Sequence, residues 1–521
     1  MPLKIALVQV ADFEKLYHVL YNTIGNFADG PAPEAKGFIE TIKRSRKPIY
    51  SPYPLGILAL AAYAREKFGK KVEISVIDML QQRITSEELL ERLDGISPDV
   101  VGLSGFSFYA DEIHKVAGLI KKKDKKCVVA LGGPYASAST KRAAGDKNID
   151  IVAFGEGELS FEEIIKRALK KKGFKGIDGT ACRSGKGVIV NPQMKLIENI
   201  DSLPFPAVDL IDVMGYSGQS PPVFRYFGVP WMLTFNSRGC PYKCAYCHNI
   251  FGKRTRFMSV KRTFDELSYY YKRYGIREFH VWDDIFNLDV RRGIELSKRI
   301  KALKADLRFY YMGGLRADIM KKELLDAMIK AGACYVFYAV ESGSPRIQKL
   351  ISKNLDLKKA AEAINFTADA GILTNTYNML GFPTETREEM QMTVDYNLRL
   401  RHHSMQMFKV IPQEGTRLYD MVEAGRRSAT GTTDMYTEYT STVGAGVKPQ
   451  EFEAMVRKGF RDFYLDPKRI RRVLKMTSPI LSKEEICATY NVYLRTLKAG
   501  DISSSSDEVR RELKKLRKFE P

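Results

Sequence analysis

The stretch Arg238-Gly239-Cys240-Pro241-Tyr242-Lys243-Cys244-Ala245-Tyr246-Cys247-His248-Asn249 places three thiols within eight residues. Three thiolates so spaced can wrap one face of a metal centre. Structural zinc takes four ligands, normally as two spaced pairs, and no second pair lies nearby. His248 is adjacent to Cys247, which strains it as a fourth ligand. A [4Fe–4S] cubane ordinarily takes four cysteines. Three would leave one iron open to another ligand, which is a catalytic rather than a structural arrangement. Cys127, Cys182, Cys334 and Cys487 are scattered and read as buried small hydrophobes. Seven cysteines in 521 residues do not make a disulfide framework.

Outward from this loop, apolar runs and amphipathic periods alternate. Strands are expected at 232–235, 278–282, 308–312, 335–340, 374–380 and 405–410. Helices are expected at 264–274, 291–304, 322–331, 357–370 and 388–399. This series predicts a partial (β/α)6 barrel over 230–425, with its active site at the strand carboxyl ends. Three strands end in short distinctive segments: Asp283-Asp284, Glu341-Ser342 and Gly381-Phe382-Pro383. The lesser alternative for the aspartate pair is a pair of strand-end caps.

The N-terminal part alternates strands at 5–10, 72–77, 100–103, 127–131 and 151–154 with helices at 55–68, 87–93, 110–123 and 160–171. A long polar loop follows the first strand. The alternation predicts βαβ units and a parallel sheet. Ser104-Gly105-Phe106, Gly132-Gly133-Pro134 and Gly155-Glu156-Gly157-Glu158 follow three of these strands, where open parallel sheets bind ligands. Their spacing does not match the dinucleotide fingerprint. Asp201-Ser202-Leu203-Pro204-Phe205-Pro206 marks a linker over 196–229. Residues 426–521 read as helical and charged.

With 83 Lys plus Arg against 62 Asp plus Glu, the formal charge is +21. Such a balance can attract nucleic acid, anionic lipid or acidic small molecules, or reflect solvated helix faces. The interleaved aromatic and basic motif of RNA-binding modules is missing, which argues against nucleic acid. An apolar fraction of 44% and a charged fraction of 28% suit a globular protein. The longest strongly apolar run, 55–64, is about half a bilayer span. No transmembrane segment and no signal peptide are expected, so a cytoplasmic location is.

The CxxxCxxC loop after the first barrel strand resembles that of the radical SAM enzymes. Tyr246 matches that family's adenine-contacting position. Trp282-Asp283-Asp284-Ile285-Phe286 resembles its second-strand segment, and Glu341-Ser342-Gly343-Ser344 its fourth-strand motif. Gly381-Phe382-Pro383-Thr384-Glu385-Thr386 resembles a fifth-strand Gly-Phe-Pro-Gly-Glu-Thr motif, with Thr384 in place of Gly. Pro412-Gln413-Glu414-Gly415-Thr416 resembles a sixth-strand Pro-x-Pro-Gly-Thr motif, with Glu414 in place of Pro. Tyr53-Pro54-Leu55-Gly56, Asp99-Val100-Val101-Gly102-Leu103-Ser104, Gly132-Gly133-Pro134-Tyr135 and Gly155-Glu156-Gly157-Glu158 resemble the cobalamin-binding domain fused to one radical SAM subfamily.

The resemblance implies an α/β chain: a Rossmann-like cobalamin-binding parallel sheet at 1–195, a linker, a radical SAM partial barrel at 230–425 and a C-terminal helical region. It implies a [4Fe–4S] cluster on Cys240, Cys244 and Cys247. It places S-adenosyl-L-methionine (SAM) against Tyr246, Asp284, Glu341 and Ser342, and cobalamin against Ser104, Gly105, Gly132, Gly133, Gly155 and Glu156. None of the six histidines sits in the Asp-x-His-x-x-Gly loop that supplies a cobalt ligand in many cobalamin domains. His114 reads as a surface or packing residue, and members of this subfamily commonly lack that loop. The implied activity is C-methylation of an unactivated carbon through a 5′-deoxyadenosyl radical and methylcobalamin. The alternative is a cyclase, ring rearrangement or oxidation on the same architecture. The substrate would be a small molecule, lipid or peptide, and the electron donor a reductase or a flavodoxin or ferredoxin. A tRNA methylthiotransferase would need three more N-terminal cysteines, and only Cys127 and Cys182 precede the barrel.

Overall fold

The computed structural model describes residues 1–12, 52–185, 187–217, 230–426, 447–494, 497 and 499–519. The expected polar loop after the first strand, residues 218–229 of the expected linker, and 427–446 lie outside the described residues. Two compact units emerge, the first within 1–18, 46–219 and 248–258, the second within 220–247 and 259–521.

The first unit is built on β1 (Leu3–Gln9), β2 (Val72–Asp78), β3 (Val100–Ser104), β4 (Val128–Gly132), β5 (Ile151–Ala153), β6 (Thr180–Ser184) and β7 (Gly187–Val190). Their order in the sheet is β2-β1-β3-β4-β5-β6-β7. The first five run parallel, as their near-continuous apolar runs imply. Val8, Val101 and Val129 are fully buried within it. The antiparallel hairpin β6–β7 extends one edge. It was not legible in the sequence, because Gly185 and Gly187 interrupt a short polar run. Helices α1 (Leu55–Phe68), α2 (Ser86–Ile96) and α3 (Ala110–Lys123) complete the crossovers, with the short α4 (Gly133–Ala138) and α5 (Glu158–Leu169) following β4 and β5. A capping box opens α2: Glu88 N donates to Thr85 Oγ1 at 3.2 Å, and Thr85 N to Glu88 Oε2 at 2.8 Å.

In the second unit, β8 (Trp231–Thr234), β9 (Glu278–Val281), β10 (Arg308–Leu315), β11 (Ala333–Glu341), β12 (Leu373–Leu380) and β13 (Ser404–Lys409) form one sheet in sequence order. All its pairs are parallel. The crossovers carry α6 (Val260–Tyr274), α7 (Val290–Ala302), α8 (Lys322–Lys330), a short α9 (Pro345–Leu350), α10 (Leu357–Asp369) and α11 (Arg387–Arg399). Side chains set their starts: Ser259 accepts from Arg262 N, Asp289 from Arg292 N, and Asp356 from Lys358 N and Lys359 N. Gly275, at φ 67°, ends α6 in the left-handed conformation.

The C-terminal helices α12 (Arg417–Arg426), α13 (Pro449–Tyr464), α14 (Pro467–Lys475), α15 (Lys483–Leu494) and α16 (Asp507–Arg517) bear out the helical expectation. They also share the barrel's core. Phe463, Tyr464, Tyr490 and Tyr493 pack in one cluster with Tyr310, Tyr335 and Phe337. The Tyr335 hydroxyl lies 2.8 Å from that of Tyr493 and 2.9 Å from Ser404 Oγ. Arg469, only 2% exposed, stacks 3.6 Å from the Phe463 ring centroid and donates to Leu400 O at 3.0 Å. Among the described residues no helix is long and apolar enough to cross a membrane.

Candidate functional site

The cysteine loop leaves the carboxyl end of β8 through Gly239, whose φ of 88° a side chain would strain. Gly239 N donates to Asp284 Oδ2 at 2.8 Å, and Asn236 N donates to Asp283 Oδ1 at 2.5 Å. Both members of the aspartate pair therefore cap amides of the loop after β8. Asp283 is 3% exposed, and burial pushes its carboxyl up to about 6. Further along, Ala245 is buried and pinned at both ends: its N donates to Ile351 O and its O accepts from Leu418 N, each at 2.8 Å.

Cys240 and Cys244 are half-buried and Cys247 is exposed, and none is in a disulfide. Three thiols on one loop, open to solvent at a strand end, are a donor set suited to iron and sulfide. Among the described residues no three His, Cys, Asp or Glu side chains are gathered tightly enough to hold a single metal ion.

Facing this loop, β11 ends at Glu341, which breaks register with β12 and takes φ 68°. A non-glycine residue in that region is strained and persists only where its surroundings hold it. Glu341 Oε1 accepts from the Tyr246 hydroxyl at 3.1 Å and lies 3.3 Å from Lys353 Nζ. Lys353 Nζ also donates to the Tyr246 oxygen at 3.1 Å. Burial holds the Tyr246 phenol well above its usual range, so it stays protonated and donates. Ser342 is fully buried. Its Oγ accepts from Ser344 N at 3.1 Å and pairs with Thr393 Oγ1 at 3.2 Å, while its carbonyl accepts from Gln348 Nε2 at 2.6 Å. The structure thus brings Tyr246 and Glu341 into contact. It engages Asp284 with the loop backbone and Ser342 with the turn into α9.

After β12, Glu385 Oε2 accepts from Gly381 N at 2.6 Å and Phe382 N at 3.0 Å. Glu385 is fully buried, and burial pushes its carboxyl up to about 7. Thr384, where the family motif has Gly, takes φ 61°. Arg346 braces it, donating to Thr384 Oγ1 at 3.1 Å and Thr384 O at 2.5 Å. Lys353, Arg346 and Glu385 were not read as site residues. Glu385 lies within the fifth-strand motif and Arg346 two residues past the fourth-strand one, whereas no local pattern signals Lys353.

In the first unit, three strand-end loops are knitted together. Tyr135 N donates to Gly105 O at 3.0 Å, Gly155 N to Ser137 Oγ at 3.1 Å, and Ser137 Oγ to Gly133 O at 3.1 Å. A Cβ on Gly133 would lie 2.5 Å from Ser104 Oγ, so glycine there permits close loop packing. A Cβ on Gly132 would meet nothing within 4 Å, and one on Gly155 only Gln193 Nε2 and Ile250 O at 3.8 and 3.9 Å. These two glycines border open space at the strand ends, a cradle that side chains would fill. Phe106, which follows Gly105 in the loop after β3, is 42% exposed and stacks on Phe108 at 5.6 Å. Glu156 is turned elsewhere: its carboxylate is buried against Arg256, with Nη1 to Oε2 at 3.0 Å. Both ring nitrogens of His114 are engaged, Nδ1 at 2.6 Å from Asp146 Oδ2 and Nε2 at 2.8 Å from the Tyr135 hydroxyl. That agrees with reading it as a packing residue.

Comparison with known proteins matches this division. Residues 237–396 match the Radical SAM superfamily, and residues 47–165 match the B12 binding domain. An uncharacterized methyltransferase of Pyrococcus horikoshii is 30% identical over 448 residues, covering 84% of this chain and 94% of its own. The cytidylyl-2-hydroxyethylphosphonate methyltransferase of Streptomyces wedmorensis is 28% identical over 70% of this chain and 77% of its own. Among solved structures, the cobalamin-dependent S-adenosylmethionine radical enzyme OxsB superposes with a TM-score of 0.67 at 15% identity, covering 99% of this chain and 75% of that one. With its thiol loop at a barrel strand end and its glycine loops on a separate parallel sheet, the chain belongs to the radical SAM enzymes that carry a B12-binding domain.

Proposed function

We propose that the protein is a cobalamin-dependent radical SAM C-methyltransferase. The observation that carries this is the pairing, on one chain, of a three-thiol loop at a barrel strand end with open glycine loops at the strand ends of a B12-binding unit. The methyltransferases among its relatives support the same reading. When bound, the cluster with SAM supplies a radical able to take hydrogen from an unactivated carbon, and the corrinoid supplies the methyl group. The chain's own residues bind, orient and exclude water. Cys240, Cys244 and Cys247 hold the cluster as thiolates. Tyr246 and Glu341 line the SAM position, with Asp284 and Ser342 fixing the loops that shape it. Gly132 and Gly155 leave backbone open to the corrinoid, while Ser104, Gly105 and Gly133 pack against protein atoms and hold the loops together, with Glu156 anchoring the third loop. A flavodoxin or ferredoxin as electron donor and a cytoplasmic location go with this reading.

The test is to express the chain with iron and cobalamin available, purify it without oxygen and quantify both metals. Incubation with SAM labelled in its methyl group follows. Near-stoichiometric cobalt, about four irons per chain and label moving into the corrinoid support the reading. A full cluster without cobalt or label transfer would instead favour a cyclase or oxidation.

A further inference from the structure

Two tyrosines are interleaved with the three cysteines, Tyr242 between the first pair and Tyr246 between the second. Each is gripped by a cation from the barrel. The Arg316 guanidinium lies 4.0 Å from the Tyr242 ring centroid, within cation–π range. Lys353 Nζ donates to the Tyr246 oxygen at 3.1 Å. Both cations are nearly buried, Arg316 at 8% and Lys353 at 6% exposure. Burying them is costly unless they are paired, and each is: Arg316 Nε lies 2.9 Å from Asp318 Oδ1, and Lys353 Nζ 3.3 Å from Glu341 Oε1.

The two grips are mechanically one. Arg316 Nη1 donates to Lys353 O at 2.8 Å and Nη2 to Asn354 O at 3.0 Å. The turn that presents Lys353 is tight, with Ser352 at φ 52° and Asn354 at φ 48°. Gln348 holds its other side, accepting on its carbonyl from Lys353 N and Asn354 N at 3.1 Å each. A displacement of Arg316 would therefore release Tyr242 and shift Lys353, and with it Tyr246.

We propose that Arg316 and Lys353 form a two-pronged clamp that positions the cysteine loop, setting the three thiols for one cluster and Tyr246 for SAM. The clamp rests on the cluster and SAM reading above. Neither cation is a catalytic residue; each acts through a tyrosine. Groups that orient metal ligands from behind typically change affinity ~10–100-fold when removed.

The experiment uses the full chain, reconstituted anaerobically with iron and sulfide. Iron content, thermal melting and the electron paramagnetic resonance spectrum of the reduced cluster are followed as SAM is titrated. Lys353→Met is expected to keep iron while needing ~10-fold more SAM for the spectral change, with Lys353→Arg restoring the wild-type titration. Tyr242→Leu, at a half-buried site that tolerates the change, is expected to lose iron on desalting, and Tyr242→Phe, which keeps the ring, to retain it. Should Lys353→Met fail to fold, the Tyr242 pair decides alone. Wild-type iron retention and SAM response in Tyr242→Leu would overturn the clamp, as would Tyr242→Phe or Lys353→Arg variants no better than the truncated ones. A wild-type chain that takes up no iron, or whose cluster ignores SAM, would overturn the underlying reading instead.

Discussion

Arg256 and Glu156 form an ion pair sealed from solvent, with side-chain exposures of 4% and 3%. The same arginine donates to Ile197 O at 2.7 Å and Phe251 O at 3.0 Å, and Glu156 Oε2 accepts from Ile197 N at 3.1 Å. One charged pair therefore ties the loop after β5 to the segments 196–197 and 251–256 of the first unit. Removing one partner leaves the other charged and buried. Arg256→Met should cost ~3–5 kcal/mol in urea unfolding. The double variant Arg256→Met/Glu156→Leu should recover much of that, and a double variant no more stable than the single would refute the account.

The cluster reading predicts that replacing Cys240, Cys244 and Cys247 together by Ala abolishes iron binding without lowering the melting temperature of the iron-free chain. None of the three is fully buried, so truncating them leaves no core cavity. Replacing Cys334, fully buried in β11, should do the opposite: iron is retained and melting falls.

Gly132 has φ −135°, extended backbone that any residue adopts, and open space where its Cβ would be. Gly132→Leu should fold and melt like the wild type yet fail to retain cobalamin through gel filtration. Gly133→Leu, at φ 83° with Ser104 in the way, should destabilise the fold as well. Undiminished cobalamin in Gly132→Leu would move the corrinoid away from this loop.

Glu385 and Glu389 titrate in opposite senses. Burial raises the Glu385 carboxyl to about 7, so the folded state holds its proton more tightly than the unfolded state. Its stabilising effect is complete below the unfolded value near 4.3 and is lost as pH rises through about 7. Glu389 is drawn down to about 2, chiefly by the Arg346 hydrogen bond, so its effect is present above ~4.3 and is lost as pH falls toward 2. Glu385→Gln keeps an acceptor for Gly381 N and Phe382 N but cannot ionise. Melting of the wild type should fall between pH 5 and 8 relative to this variant, by the equivalent of ~3 kcal/mol; parallel curves would show that Glu385 does not titrate in that window.

Thr384 occupies a left-handed position, where a side chain costs ~1–2 kcal/mol. Thr384→Gly should therefore be more stable than Thr384→Ala by ~1 kcal/mol in chemical unfolding, both variants losing the same hydrogen bond to Arg346. Equal stabilities would show that the backbone relaxes when Arg346 lets go.

The two unlike halves were legible because parallel strands buried on both faces write themselves as apolar runs, and because metal-binding thiols are otherwise rare in such a chain. The strand-end motifs led to the right loops, yet the duties of individual residues emerged only in three dimensions. Asp284 caps an amide 45 residues earlier, Ser342 holds the turn into α9, and Glu156 faces an arginine a hundred residues away. Lys353 and Arg316 left no signature, since their partners are brought together by crossovers whose geometry no local spacing encodes. The β6–β7 hairpin and α9 escaped because each is too short to display a period. The C-terminal region read as helical and charged, but nothing in it named the barrel strands as the partner of its aromatic side chains.

That last partnership bears on the order in which the protein can be made. The parallel strands of the first unit have all been synthesised by Ala153, and its edge hairpin by Val190. The second core joins Tyr310 to Tyr493 and Leu516, so its sheet stays exposed on one side until residue 516 has been made. Domains generally fold as they emerge. Here the second unit must wait for its helices between 449 and 517, holding a tyrosine-lined face open meanwhile, and a chain cut short before them would leave that face bare.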